Sequence, residues 1–155
     1  MKKLMVLMSA FLLLCGCTKA QEEKTPEPVP AEKEEIDTEE KTMILKINNQ
    51  TVDVTWEDNR STEALQLLAE NTLTVSMSMY GGWEQVGSIG QRLPSDDTQQ
   101  TAQPGDIMLY ASDQIVLFYG NNSWAYTKLG TMNLSNDELR DLLGNGDVTL
   151  TLSLE

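Results

Sequence analysis

The fold turns on residues 104–130, PGDIMLYASDQIVLFYGNNSWAYTKLG. Residues 107–110 and 114–119 are short runs of large apolar and β-branched side chains, the composition of strands. Pro104-Gly105-Asp106 precedes the first run and Gly120-Asn121-Asn122 follows the second, both turn-forming. Residues 123–132, with Trp124, Tyr126 and Leu129, make a further strand that ends at Gly130. No helical period separates these runs, so the strands are joined by turns and pair antiparallel.

The flanks repeat the pattern. Residues 43–48 (MILKIN) and 51–56 (TVDVTW) alternate apolar and polar side chains, and Asn49-Gln50 joins them as a hairpin. Residues 73–79 (LTVSMSM) alternate, and so does the closing run Val148–Leu154. Two segments have helical periodicity instead. Residues 61–70 place Ala64, Leu65, Leu67 and Leu68 on one side, with Ser61 as the N-cap. Residues 135–138 (SNDE) form a capping box that opens a helix carrying Leu139, Leu142 and Leu143, with Gly144 as a left-handed C-cap. Six or seven strands and two short helices predict a mainly β fold, a small closed antiparallel barrel with the helices capping its ends.

Charge and composition narrow the chemistry. The 155-residue chain carries 11 Lys+Arg against 24 Asp+Glu, a formal charge of −13. Such a surface repels phosphate backbones, so no nucleic-acid partner is expected. There is no histidine, which removes the Ser-His-Asp triad, the Cys-His dyad and the usual zinc sites. No calcium-loop spacing occurs, and neither a metal nor a cofactor is expected.

The N-terminus reads as an address. Lys2 and Lys3 precede an uncharged apolar run of 11 residues, 4–14. A bilayer core needs about 20 residues, so this run suits a signal peptide and not a membrane span. It ends in Leu14-Cys15-Gly16-Cys17, which resembles the bacterial lipobox. The resemblance implies cleavage after Gly16 and diacylglycerol on Cys17, giving an extracytoplasmic protein whose partner is the lipid bilayer. The other reading is an ordinary secretory peptide cut elsewhere. Both cysteines lie in this segment, so the mature domain would hold no disulfide or thiolate. Residues 18–42 contain nine acidic residues, four lysines and Pro26, Pro28 and Pro30. With Val29 and Ile36 as its only sizeable apolar residues, this segment is expected to be a disordered tether spanning about 25–30 Å. The expected organisation is therefore a signal peptide at 1–16, lipidated Cys17 with its tether at 17–42, and the barrel at 43–155.

A second resemblance covers that barrel. Met79-Tyr80-Gly81-Gly82-Trp83-Glu84, Gln103-Pro104-Gly105-Asp106-Ile107-Met108-Leu109-Tyr110, Phe118-Tyr119-Gly120-Asn121-Asn122-Ser123-Trp124 and Tyr126-Thr127-Lys128-Leu129-Gly130 together resemble the bacterial cyclophilin-like family. Its members share the cyclophilin barrel without its active-site sequence. The resemblance implies an eight-stranded closed barrel capped by two helices, and no settled activity. True cyclophilins are prolyl isomerases built around an Arg in Phe-x-Arg-Val-Ile and a Phe-Met-x-Gln-x-Gly-Asp segment. Neither string occurs here, and Arg92 in GQRLP has no Phe two residues before it.

The glycine-rich stretch Gly81, Gly82, Gly87 and Gly90 lacks the spacing and the lysine of a phosphate cradle, so its glycines serve turns and close backbone approaches. Tyr80, Trp83, Tyr110, Tyr119, Trp124 and Tyr126 are six of nine aromatic residues. Such rings either line a ligand cleft or pack core and strand ends. The cleft reading draws on Tyr80, Trp83, Glu84, Arg92, Tyr119 and Trp124, with Glu84 and Arg92 as an ion pair framing it. Adjacent Asp96 and Asp97 belong to a solvated loop. No catalytic constellation assembles from the sequence. The expectation is a monomeric, lipid-anchored, non-catalytic binding module for a small molecule, a peptide or an envelope protein. The alternative is a weak prolyl isomerase or envelope chaperone that uses Arg92.

Overall fold

The computed structural model describes residues 41–155. The signal peptide, the lipobox with Cys17 and most of the expected tether lie outside the described residues.

In chain order the elements are β1 (Met43–Ile47), β2 (Gln50–Val52), β3 (Val54–Trp56), α1 (Arg60–Ala69), β4 (Leu73–Tyr80), β5 (Glu84–Ser88), β6 (Thr98–Ala102), β7 (Asp106–Tyr110), β8 (Gln114–Phe118), β9 (Asn122–Met132), α2 (Asn136–Leu143) and β10 (Val148–Leu154). All pairings are antiparallel, and the strand order is β2-β1-β10-β4-β5-β8-β7-β9-β3, with β6 paired to β9 outside this path. The first and last strands of the order are separated in the chain only by Asp53. The expected single strand at 51–56 is therefore bent, one half on β1 and the other on β9. Covalent continuity at Asp53 completes a nearly closed barrel with eight positions around its wall. Asn133 secures the bend: its backbone N–H and its side-chain amide donate to the Asp53 carbonyl and carboxylate at 2.9 and 2.7 Å.

The barrel interior holds Leu45, Ile47, Val75, Met77, Ile107, Leu109, Ile115, Leu117, Leu129, Leu150 and Leu152, all buried, together with Leu65 of α1 and Leu139 and Leu143 of α2. Burying each such side chain contributes about 1.5–3 kcal/mol, which makes this cluster the main source of stability. Because strand side chains alternate faces, Met108, Val116 and Phe118 point out of the barrel. With Ala102 and Tyr126 they form a second, smaller apolar cluster. The cover comes from β9. Its first half, 122–126, pairs with β6, and its second half pairs with β7, across an irregularity at Ile107/Met108. The β6–β9 ribbon thus lies over the outer face of β7 and β8.

Several expectations shift by a residue or two. The first hairpin turns at Asn48-Asn49, not Asn49-Gln50, and both residues have positive φ (47° and 69°), as a two-residue turn of this hand requires. The N-cap of α1 is Asn59, not Ser61. Asn59 is extended and accepts from the N–H groups of Ser61 and Thr62 at 3.0 Å, while Ser61 turns inward and donates to the Pro94 carbonyl. The Ser135/Glu138 capping box of α2 forms as expected. Gly144 is not left-handed (φ −95°); a Cβ there would come within 2.7 Å of the Arg140 carbonyl oxygen, so close packing and not handedness selects glycine. Strands β5 and β6 have no counterpart in the sequence reading. At the boundary of the expected tether, Thr42 exchanges two backbone hydrogen bonds with Glu155 and the Lys41 carbonyl accepts from Gln66, so both residues belong to the domain.

Candidate functional site

The site begins at the β4–β5 hairpin. Tyr80 and Glu84 pair across it, and Gly81-Gly82-Trp83 make the tip. Gly81 and Gly82 have φ of 62° and 79°, a conformation that glycine takes without strain. The Trp83 indole lies on Gly81, where a Cβ would collide with the ring. The Trp83 carbonyl accepts from the backbone N–H of Tyr119 and of Gly120, both at 2.9 Å. These bonds fix the hairpin tip to the end of β8. Glu84 is thereby set opposite Phe118, on the outer face of the wall, under the β6–β9 ribbon.

A cavity of about 510 Å³ opens there, lined by Tyr80, Glu84, Val86, Tyr110, Gln114, Val116, Asn122, Trp124 and Tyr126. Its volume falls in the range of small-molecule sites, about 300–1,000 Å³. Tyr126 packs edge-on against Tyr110 and Phe118, with ring centroids 6.0 and 5.6 Å away. Its hydroxyl accepts from the Asn122 side-chain amide at 3.3 Å. Tyr80 and Trp124 are 65% and 56% exposed and stand at the mouth.

Glu84 is the chemically distinctive member. It is 4% exposed, and its Oε2 has no hydrogen-bond partner among the described residues. Desolvation pushes the carboxyl above its ordinary value, and the Asn122 side chain pulls the other way. The Tyr126 phenol is pushed up to about 12, first by burial, then by the negative charge of Glu84 and by Tyr110. Tyr119 is raised by burial and then by Glu84. Among the described residues no lysine or arginine lines the cavity. The arrangement can hold a ligand against aromatic walls and offer it one carboxyl group, a hydrogen-bond donor when protonated and a counter-charge when ionised.

Of the six residues drawn from the sequence, the structure brings Tyr80, Glu84 and Trp124 together at this cavity. Trp83 shapes the hairpin tip instead. Tyr119 belongs to the barrel core, its hydroxyl without a partner among the described residues. Arg92 does not line the cavity and forms no ion pair with Glu84; its guanidinium donates to Ser112 Oγ at 3.1 Å. Tyr110 and Tyr126, read in sequence only as members of the aromatic set, line the wall. Val86, Gln114, Val116 and Asn122 were not singled out. Their signal is period two: 84/86, 114/116 and 122/124/126 are same-face positions of three strands. That signal is readable only once β5 is known to be a strand.

A second, shallower cavity of about 340 Å³ lies across β9, lined by Glu57, Asn59, Arg60, Ser61, Asp96, Thr98, Gln100, Tyr126, Thr127 and Lys128. Its groups are already engaged. Lys128 pairs with Asp106 at 3.0 Å and Glu57 at 3.8 Å, and Asn59 caps α1. Thr127 Oγ1 accepts from the Asp96 N–H and donates to the Asp97 carboxylate, so these two residues fasten the loop to β9. Among the described residues no group of three or more Asp, Glu, Cys or His side chains converges to hold a metal ion. No described helix is long and apolar enough to cross a membrane.

Barrel, capping helices and ribbon-covered lateral cavity define a small β-barrel domain of cyclophilin architecture. The Cyclophilin-like family matches residues 45–153, and the chain belongs to it. No curated protein and no solved structure matches the chain.

Proposed function

We propose that the protein is a membrane-anchored extracytoplasmic lipoprotein whose cyclophilin-like domain is a non-catalytic binding module for a small molecule, a peptide or a segment of an envelope protein. The observation that carries the binding role is the cavity of about 510 Å³ beside Glu84, with four aromatic side chains in its wall and a buried carboxylate oxygen that is unpaired among the described residues. An unpaired buried polar atom is costly, and its retention in a concave aromatic site favours a ligand that satisfies it. The anchor rests on Lys2, Lys3, the apolar run at 4–14 and the Leu14-Cys15-Gly16-Cys17 string. The isomerase alternative needs a donor beside the bound proline amide, and Arg92 lies away from the cavity, held by Ser112.

Ligand-observed NMR of the full chain against a mixed library of neutral, anionic and cationic fragments tests the binding role. Fragments should bind and lose their signal in Tyr110→Ala and Trp124→Ala; a library with no binder sensitive to both substitutions would overturn it. For the anchor, growth with labelled palmitate should label the wild type and not Cys17→Ala. An unlabelled wild-type chain released to the medium sinks that half. Acceleration of proline-peptide isomerisation that is lost in Arg92→Ala would restore the enzyme alternative.

A further inference from the structure

The lining of the cavity also specifies the charge of what it takes. Among the described residues Glu84 is the sole charged side chain in the wall, it is 4% exposed, and its Oε2 is unpartnered. Tyr80, Tyr110, Trp124 and Tyr126 surround it with aromatic surface. Among the described residues no lysine or arginine neutralises the carboxylate: Lys128 is committed to Asp106, and Arg92 bonds Ser112. An anionic ligand would meet an uncompensated carboxylate. A neutral ligand would use the rings and leave the charge uncompensated. A cation uses both, because ring faces attract positive charge and a buried carboxylate gains most from an opposite charge.

We infer that the cavity receives an organic ammonium group, with Glu84 as its counter-ion and Tyr80, Tyr110, Trp124 and Tyr126 as its aromatic walls. This rests on the reading of the cavity as a binding site and adds the ligand's chemical class. The head group is shared by free alkylamines and by lysine side chains of peptides. The domain's acidity supports the assignment: Lys46, Arg60, Arg92, Lys128 and Arg140 are the only basic residues after residue 42, so the surrounding field draws cations toward the mouth.

Calorimetric titration of the full chain in detergent tests the inference. The probes are choline, its neutral isostere 3,3-dimethylbutan-1-ol, and the methylamide of Nα-acetyl-lysine. At least one of the two cations should bind about tenfold or more tighter than the neutral alcohol. Binding by choline alone points to a quaternary amine, and binding by the lysine derivative alone to a peptide side chain; either supports the inference. Glu84→Gln should remove the preference for the cation over the alcohol. Trp124→Ala should weaken the cation about fivefold. Should Glu84→Gln not fold, the wild type still decides: cation affinity must rise with pH as the carboxyl ionises, and the alcohol's affinity must not. Equal affinity for cation and isostere, or cation affinity independent of pH, overturns the inference. If neither cation binds while neutral or anionic fragments occupy the cavity, the ammonium assignment falls and the binding module stands. If nothing binds, both fall.

Discussion

Gly87 offers a severe test of the packing that places Glu84. It lies on β5 facing the barrel interior, between Gln85 and the strand's end. A Cβ at this position would stand 2.5 Å from Val75 Cγ1, 2.8 Å from the Ser76 carbonyl oxygen and 3.2 Å from Met77 Cγ. Carbon atoms in contact prefer about 3.5–4.0 Å, so the first overlap is about 1 Å or more. The neighbours cannot retreat cheaply. Val75 and Met77 are 2% and 1% exposed, and Ser76 is held in the β4–β10 ladder opposite Thr149. Overpacking costs about 1–3 kcal/mol, and replacing glycine by alanine returns about 0.4–1 kcal/mol through the unfolded chain. With contacts this short the upper end of the overpacking cost applies, so Gly87→Ala should lose about 2 kcal/mol net. Unfolding entropy of about 2.1 cal/mol/K per residue over roughly 115 residues converts this to a fall in Tm of about 8 °C. Thermal unfolding followed by circular dichroism reads it. Val75→Ala removes the closest overlap, so the double variant should lose about 1 kcal/mol less than the sum of the single losses. The Ser76 carbonyl keeps the rescue partial. A single variant melting within about 2 °C of wild type, or strict additivity in the double variant, would refute the reasoning.

Three further outcomes are expected. Asn59→Ala strips the first turn of α1 of its acceptor and removes the bond to the Lys128 carbonyl, so denaturant unfolding should register a loss of about 1–2 kcal/mol, with m unchanged. Glu84 is raised in the folded state, so wild-type stability declines as pH climbs from its ordinary value through the folded one; Glu84→Gln lacks that decline and should gain on wild type as pH rises above the ordinary carboxyl value, whereas a difference that stays constant would refute the desolvation of this carboxyl. The Tyr126 phenol at about 12 also favours its neutral form on folding, so stability is lost as pH rises past about 10; absorbance titration should show a late phenolate step that vanishes in Tyr126→Phe.

The legible elements were those whose side chains report on their own surroundings. Strands β1, β4 and β10 put apolar residues toward the interior at every second position, and period two shows them; β7 and β8 are apolar on both faces because the outer face is covered as well, and their composition shows them. The capping box of α2 is a local hydrogen-bond arrangement and needs no tertiary context. Strand β5 was hidden because its inward residues are Gln85 and Gly87. Gln85 is polar there because its amide donates to the Leu143 and Gly146 carbonyls, both at 2.7 Å, satisfying the end of α2 from inside the barrel. Gly87 is small because β4 leaves no room. Strand β6, TQQTA, buries only Ala102, since it pairs with β9 away from the main wall. At α1, Asn59 and Ser61 both have cap chemistry, and only the inward turn of Ser61 toward Pro94 decides between them. Within the site, Tyr80, Glu84 and Trp124 were legible by residue type. Arg92 was placed beside Glu84 for its charge alone; the fold puts it beside Ser112, a partner that no local spacing announces.

The pairing of β1 with β10 sets the order of events when the chain is made. Met43 lies opposite Leu154, and β10 alone connects β1 to β4. More than a hundred residues separate these partners, so the wall is completed by one of the most non-local contacts the domain possesses, a feature of slowly folding topologies. A ribosome that still holds the last strand keeps the cylinder open. A chain whose last strand is still confined can therefore stay extended almost to its final residue and round up only on release.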